Sequence, residues 1–101
     1  MLKQIALLLM IALLTSCASA RTQQQLQLGE IKFQDGDFKQ SIQQLLPLAA
    51  EGQAKAQYAV GYMYYYGFGV AEDPVSGTFW IEKSAAQGYP PAVKAMKMLK
   101  R

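Results

Sequence analysis

Apolar residues occur in two patterns along this chain: one unbroken run near the start, then helix-spaced stripes. Ile5 to Leu14 is a continuous run of ten apolar residues behind the basic Lys3. Ten residues are too few to span a bilayer core of about 30 Å, which takes roughly 20 in a helix. The run has instead the length of the apolar region of a secretory signal. Residues 20–27 are polar and Gln-rich, reading first as a tether and then as a helix start. Beyond them the spacing predicts five helices and no alternating strand pattern. The first covers Thr22 to Gln34, with Leu28 and Ile31 as its apolar positions. Asp37 caps the second, Gln40 completes a capping-box pattern, and Phe38, Ile42, Leu45 and Leu46 form its apolar face. It ends around Ala50-Glu51-Gly52, and Pro47 inside it is expected to kink the last turn. The third helix runs from Ala54 to Tyr66 and stops at Gly67-Phe68-Gly69. Asp73-Pro74 opens the fourth as cap and first-turn proline, and Gly88 closes it near Ala86. Pro90-Pro91 starts the fifth, which runs to the C-terminus.

The second half of the chain repeats the first. Ala49-Ala50-Glu51-Gly52 recurs 36 residues later as Ala85-Ala86-Gln87-Gly88, with Ala56 meeting Ala92 and Ala59 meeting Ala95 at the same displacement. An interval in the thirties is one helix-turn-helix unit of a solenoid. Small residues mark where helices approach closely: Ala56, Ala59, Val60 and Met63 share one face of the third helix. Gly77, Ile81, Ser84 and Ala85 form the matching stripe of the fourth, beside Trp80. A glycine inside a helix costs about 1 kcal/mol against alanine, so Gly77 requires close packing. At about 100° per residue, Tyr58, Tyr62, Tyr65 and Tyr66 lie opposite the small-residue stripe. On that geometry Tyr62, Tyr65 and Tyr66 are expected to form a surface and not a core.

Composition removes most chemistry. The chain of 101 residues has no His and one Cys, Cys17. That excludes Ser-His-Asp and Cys-His catalysis, His-ligated metals, Cys clusters and any intrachain disulfide, and no metal site is expected. A net charge of +3 is too mild to argue for nucleic acid. Gly67-Phe68-Gly69-Val70 lacks the Lys and the preceding strand of a phosphate loop. Asp35, Asp37, Glu72 and Asp73 sit at turns, where capping accounts for them, and nothing in their spacing supports a catalytic carboxylate pair. Lys94, Lys97, Lys100 and Arg101 make a basic end that suits a helix C-terminus, the sharper reading being contact with anionic lipid or an acidic partner.

Two resemblances carry the functional reading. Leu14-Thr15-Ser16-Cys17, followed by Ala18, resembles the bacterial lipobox. The resemblance implies a signal peptide over residues 1–16 and lipid attachment at Cys17, as a diacylglycerol thioether with an N-acyl chain. It further implies a tether over 17–21 and a place in the bacterial cell envelope; Ala18 is similar to the sorting pattern for the outer membrane, facing the periplasm. The competing reading is an ordinary signal cut near Ala18-Ser19-Ala20. The segment Ala56-Gln57-Tyr58-Ala59-Val60-Gly61-Tyr62-Met63-Tyr64, then Gly67-Phe68-Gly69-Val70, Asp73, Trp80 and Lys83 to Gly88, resembles a Sel1-like repeat, a relative of the tetratricopeptide repeat. Leu28-Gly29, Phe33, Gly36-Asp37-Phe38, Ser41-Ile42 and Leu46 to Ala49 resemble the shorter tetratricopeptide-like hairpin that leads such arrays. This implies an all-α short solenoid: a hairpin over 22–52, a Sel1-like repeat over 53–88 and a terminal helix over 89–101.

The resemblance also implies a groove that takes a protein or peptide. The positions that map to it are Glu30, Phe33, Tyr58, Tyr62, Tyr65, Tyr66, Lys94 and Met98, with Trp80 packing between hairpins. Tyrosine suits contact because it offers large area, few rotors and a polar tip. The expected function is a membrane-anchored adaptor with an unidentified envelope partner, no cofactor beyond the lipid on Cys17, and no enzyme activity. The alternatives are a passive structural lipoprotein or the remnant of a longer array. A β-lactamase-like hydrolase, as in cysteine-stapled members of the repeat family, lacks here the cysteines that would pair.

Overall fold

The computed structural model describes residues 1–14 and 19–99. It contains five helices, α1 (Leu2–Gln34), α2 (Phe38–Ala50), α3 (Ala54–Tyr66), α4 (Pro74–Ala86) and α5 (Pro90–Leu99), and no strand among the described residues. Each helix packs on the next in sequence, the arrangement of a short helical-repeat solenoid. The all-α expectation holds.

The helix ends follow local chemistry. Asp37 accepts the Gln40 N–H at 3.3 Å at the start of α2, while its own N–H donates to the Lys32 carbonyl. A backbone acceptor thus replaces the reciprocal half of the expected capping box. Gln53 caps α3 through Ala56 N–H. Pro47 lies inside α2, which continues through it to Ala50. At α4 the Asp73 carboxylate accepts both the Ser76 N–H at 3.1 Å and the Ser76 hydroxyl at 2.6 Å. These donors, the hydroxyl first, hold the Asp73 carboxyl below the usual carboxylate range. A depressed folded value means the contribution is present above the unfolded pKa and is lost as pH falls through the folded one. Asp73→Asn is therefore expected to lower the melting temperature at pH 7 and to narrow the gap to wild type as the medium is acidified through the depressed carboxyl pKa.

One element differs from expectation. α1 begins at Leu2 and not at Thr22, so described residues 19–21 continue a helix where a tether was expected. No Gly or Pro occurs before Gly29, and every residue ahead of it tolerates a helix. Residues 1–14 are exposed throughout, and the molecule reaches 59 Å along its longest axis. By length and composition α1 is apolar enough to cross a membrane. The Cys17 side chain lies outside the described residues, as do Lys100 and Arg101.

The core joins Leu26 of α1, Ile42, Leu45, Leu48 and Ala49 of α2, and Ala56, Val60 and Met63 of α3. Trp80 packs against it half-buried, as expected. In α1 the inward position is Leu26, whereas Leu28 and Ile31 are 40% and 45% exposed. Close approach at Gly29 sets this rotation. A Cβ there would fall 2.5 Å from Leu45 Cδ2. The second hairpin repeats the device, with Gly61 against Ile81 and the Gly77 carbonyl. Leu45 and Ile81 are 36 residues apart but Gly29 and Gly61 only 32, because the α3–α4 connection, 67–73, is four residues longer than 35–37.

Buried serines tie each hairpin. Ser41 donates to the Gly29 carbonyl at 2.7 Å and Ser84 to the Ala54 carbonyl at 2.6 Å. Both side chains are fully buried, so neither hydroxyl goes unpaired where that would cost. Adjacent hairpins are stitched by glutamines. Gln57 Nε2 donates to the Ala49 carbonyl, and Gln87 Nε2 donates to the Gly52 carbonyl and to Gln57 Oε1.

Candidate functional site: a tyrosine-walled cleft

A cleft of about 400 Å³ opens between α1 and α3. Helical periodicity builds both sides: Leu26, Glu30, Phe33 and Gln34 come from α1, and Lys55, Tyr58, Ala59 and Tyr62 from α3, each set at i, i+3, i+4 and neighbouring spacings. Leu45 of α2 closes the bottom, and Tyr89, just before α5, closes one end. The interior is apolar, and the charged pair Glu30 and Lys55 meets at 2.6 Å between Nζ and Oε1. Both side chains are about half exposed, and hydrogen bonding to Glu30 raises the Lys55 ammonium pKa. Tyr58 lies 5.8 Å from the Tyr89 ring and 6.4 Å from the Tyr62 ring. Burial raises the Tyr58 phenol, which stays a neutral donor at physiological pH.

An aromatic cluster closes the other end. Tyr62 meets Phe33 at 6.2 Å, Tyr66 at 4.8 Å and Phe68 at 5.9 Å between ring centroids. Phe38 stands 4.9 Å from Phe68 and 5.2 Å from Phe33. The long α3–α4 connection delivers Phe68. Gly69, at φ 74°, presses so closely on the Phe38 carbonyl that a Cβ would fall 2.6 Å from its oxygen. Both the left-handed φ and the contact demand glycine here.

The structure brings four of the expected groove residues, Glu30, Phe33, Tyr58 and Tyr62, into this cleft. Tyr66 is 56% exposed at its edge, joined through the Tyr62 ring. Tyr65 is not there. It lines a separate hollow between α4 and α5 with Val75, Phe79, Met96 and Leu99, and joins the cleft tyrosines only through its ring contact with Tyr66 at 5.0 Å. Lys94 and Met98 are exposed on α5 and line neither depression. Tyr62 lies outside the buried core and is half-buried among four rings. Ala59 packs against the core as expected and also lines the cleft beside Tyr58, whereas Ala56, Val60 and Met63 are fully buried. Sequence reading missed Lys55, Gln34, Tyr89 and Phe68. Phe68 and Tyr89 lie outside the helices, where periodicity gives no direction, and the Lys55–Glu30 pair joins helices far apart in sequence. Among the described residues no group of three acidic or sulfur side chains could hold a metal.

Residues 54–89, covering α3, the 67–73 connection and α4, match the Sel1 repeat family model. The chain is also 51% identical over 49 residues to chitin synthase regulatory factor 3 of the fission yeast Schizosaccharomyces pombe. That match takes in 48% of this chain and 5% of the yeast protein. No solved structure matches. The yeast relative is eukaryotic, and this overturns the expectation of a lipid-anchored place in a bacterial cell envelope. The apolar run and the cysteine spacing are local patterns, and neither specifies the kind of cell.

Proposed function

The chain is a Sel1-like repeat protein, and we propose that it is a non-catalytic adaptor whose α1–α3 cleft takes a peptide segment of a partner protein. Sel1 repeats mediate protein–protein interaction in general, and the yeast relative is by its name a regulatory factor, not the synthase. The observation that carries the reading is the cleft itself: about 400 Å³ of apolar space left open between two helices, walled by Tyr58, Tyr62 and Tyr89. Tyrosine walls supply the aromatic contacts that dominate binding energy at interfaces.

Site-specific photo-crosslinking in native cells tests this. Benzoylphenylalanine in place of exposed Lys55, at the cleft mouth, is expected to capture a discrete partner. The same group in place of Val75, 81% exposed and remote from the cleft, is expected not to. Ala59→Trp, which fills the cleft from within, should abolish capture at position 55. Equal capture from positions 55 and 75 would remove the cleft from the account.

A further inference from the structure

We propose that the Glu30–Lys55 ion pair makes the cleft selective for an uncharged apolar anchor side chain on the partner peptide; this rests on the reading of the cleft as a peptide site. Three features of the geometry lead there. The bottom is hydrocarbon, from Leu26, Leu45 and Ala59, and its volume of about 400 Å³ accommodates one bulky side chain. An ion pair spans the two helices that form the walls, 2.6 Å between Lys55 Nζ and Glu30 Oε1, so each of these charges at the mouth already has its counter-ion. The Tyr58 phenol, neutral at physiological pH like any tyrosine, adds no charge.

Each class of occupant then meets a different balance. A cationic side chain finds Glu30 taken, an anionic one finds Lys55 taken, and either must part the pair or give up water beside it. An aliphatic side chain does neither and buries apolar area as it enters. The pair therefore acts as a neutral rim whose two halves are separately removable. Removing one half leaves the other charge exposed at the mouth, and the preference should follow that charge.

The test is a set of NMR titrations of the isotope-labelled full chain, read at the Ala59 and Tyr62 amides. The probes are N-acetyl-leucine amide, N-acetyl-lysine amide, N-acetyl-glutamic acid amide and n-hexanol. In the wild type the leucine probe is expected to bind roughly two- to fivefold more tightly than either charged probe, the size of effect an exposed charge produces. Glu30→Gln should turn the preference toward the glutamic acid probe and Lys55→Gln toward the lysine probe, each by a similar factor. Both residues are surface-exposed, and melting curves establish that the variants fold. Equal affinity for the three amino-acid probes, or preferences unmoved by either variant, overturns the selectivity while leaving the cleft a binding site. Binding of n-hexanol alone would assign the cleft to an acyl chain and overturn the peptide occupant. No shift at Ala59 or Tyr62 with any probe overturns the cleft reading as well.

Discussion

Gly77→Ala is expected to lower the melting temperature by roughly 8–16 °C, although the same change normally strengthens a helix. Alanine in a helix interior is favoured over glycine by about 1 kcal/mol. At this position the new Cβ would fall 2.7 Å from the Gly61 carbonyl oxygen, 2.7 Å from Tyr65 N and 2.8 Å from Tyr65 Cα. All three are backbone atoms of α3, so no side-chain rotation relieves the contact. The helices must separate, and the separation loosens Ile81, which rests against Gly61, and the buried Ser84 bond to Ala54. Overpacking of this kind costs up to about 3 kcal/mol. The helix preference recovers about 1 of that, leaving about 2, and each kcal/mol is about 4–8 °C for a domain of this size. Circular dichroism melting measures it. An unchanged or raised melting temperature would mean that α3 and α4 do not meet at their glycines.

Particular residues show how far the sequence disclosed this arrangement. α3 and α4 were legible to the residue because strong local signals bound them: Gly67 ends α3 with a left-handed φ of 76°, and Asp73-Pro74 fixes the start of α4. The start of α1 carried no such punctuation, so its extent could not be read. Within α1, Leu28 and Ile31 satisfied helical spacing as well as Leu26 did. What selects Leu26 is the Gly29–Leu45 approach, a contact between helices that periodicity does not contain. The cleft was half legible for the same reason. Tyr58 and Tyr62 follow the α1-facing spacing, but a rotation of less than one turn sends Tyr65 toward α4 and α5, and only the packing of those helices decides it. Family resemblance places Glu30 in the groove, yet its partner Lys55 lies 25 positions on, beyond any local rule.

The second hairpin contact differs from the first in what blocks it, and that difference inverts the effect of one substitution. The three nearest atoms to a Cβ on Gly29 all belong to the Leu45 side chain, at 2.5, 2.6 and 3.4 Å. Leu45 is only 1% exposed and sits at the bottom of the cleft as well as in the core. Leu45→Ala alone is expected to cost about 2–5 kcal/mol, as other buried leucines do, and to deepen the cleft. Gly29→Ala alone is expected to cost about 1–3 kcal/mol by overpacking against Leu45. Made in the Leu45→Ala background, where the three atoms nearest to the new Cβ are gone, the helix preference of Gly29→Ala, about 1 kcal/mol, is expected to become a net gain. The two changes should therefore couple strongly in a double-mutant cycle, with the second substitution destabilising in the wild type and stabilising in the variant. Denaturant titration of the four proteins reads the coupling directly. Additive losses would mean that α1 does not lie against Leu45, and with it would go both the packing of the first hairpin and the bottom of the cleft that α1 and α3 share.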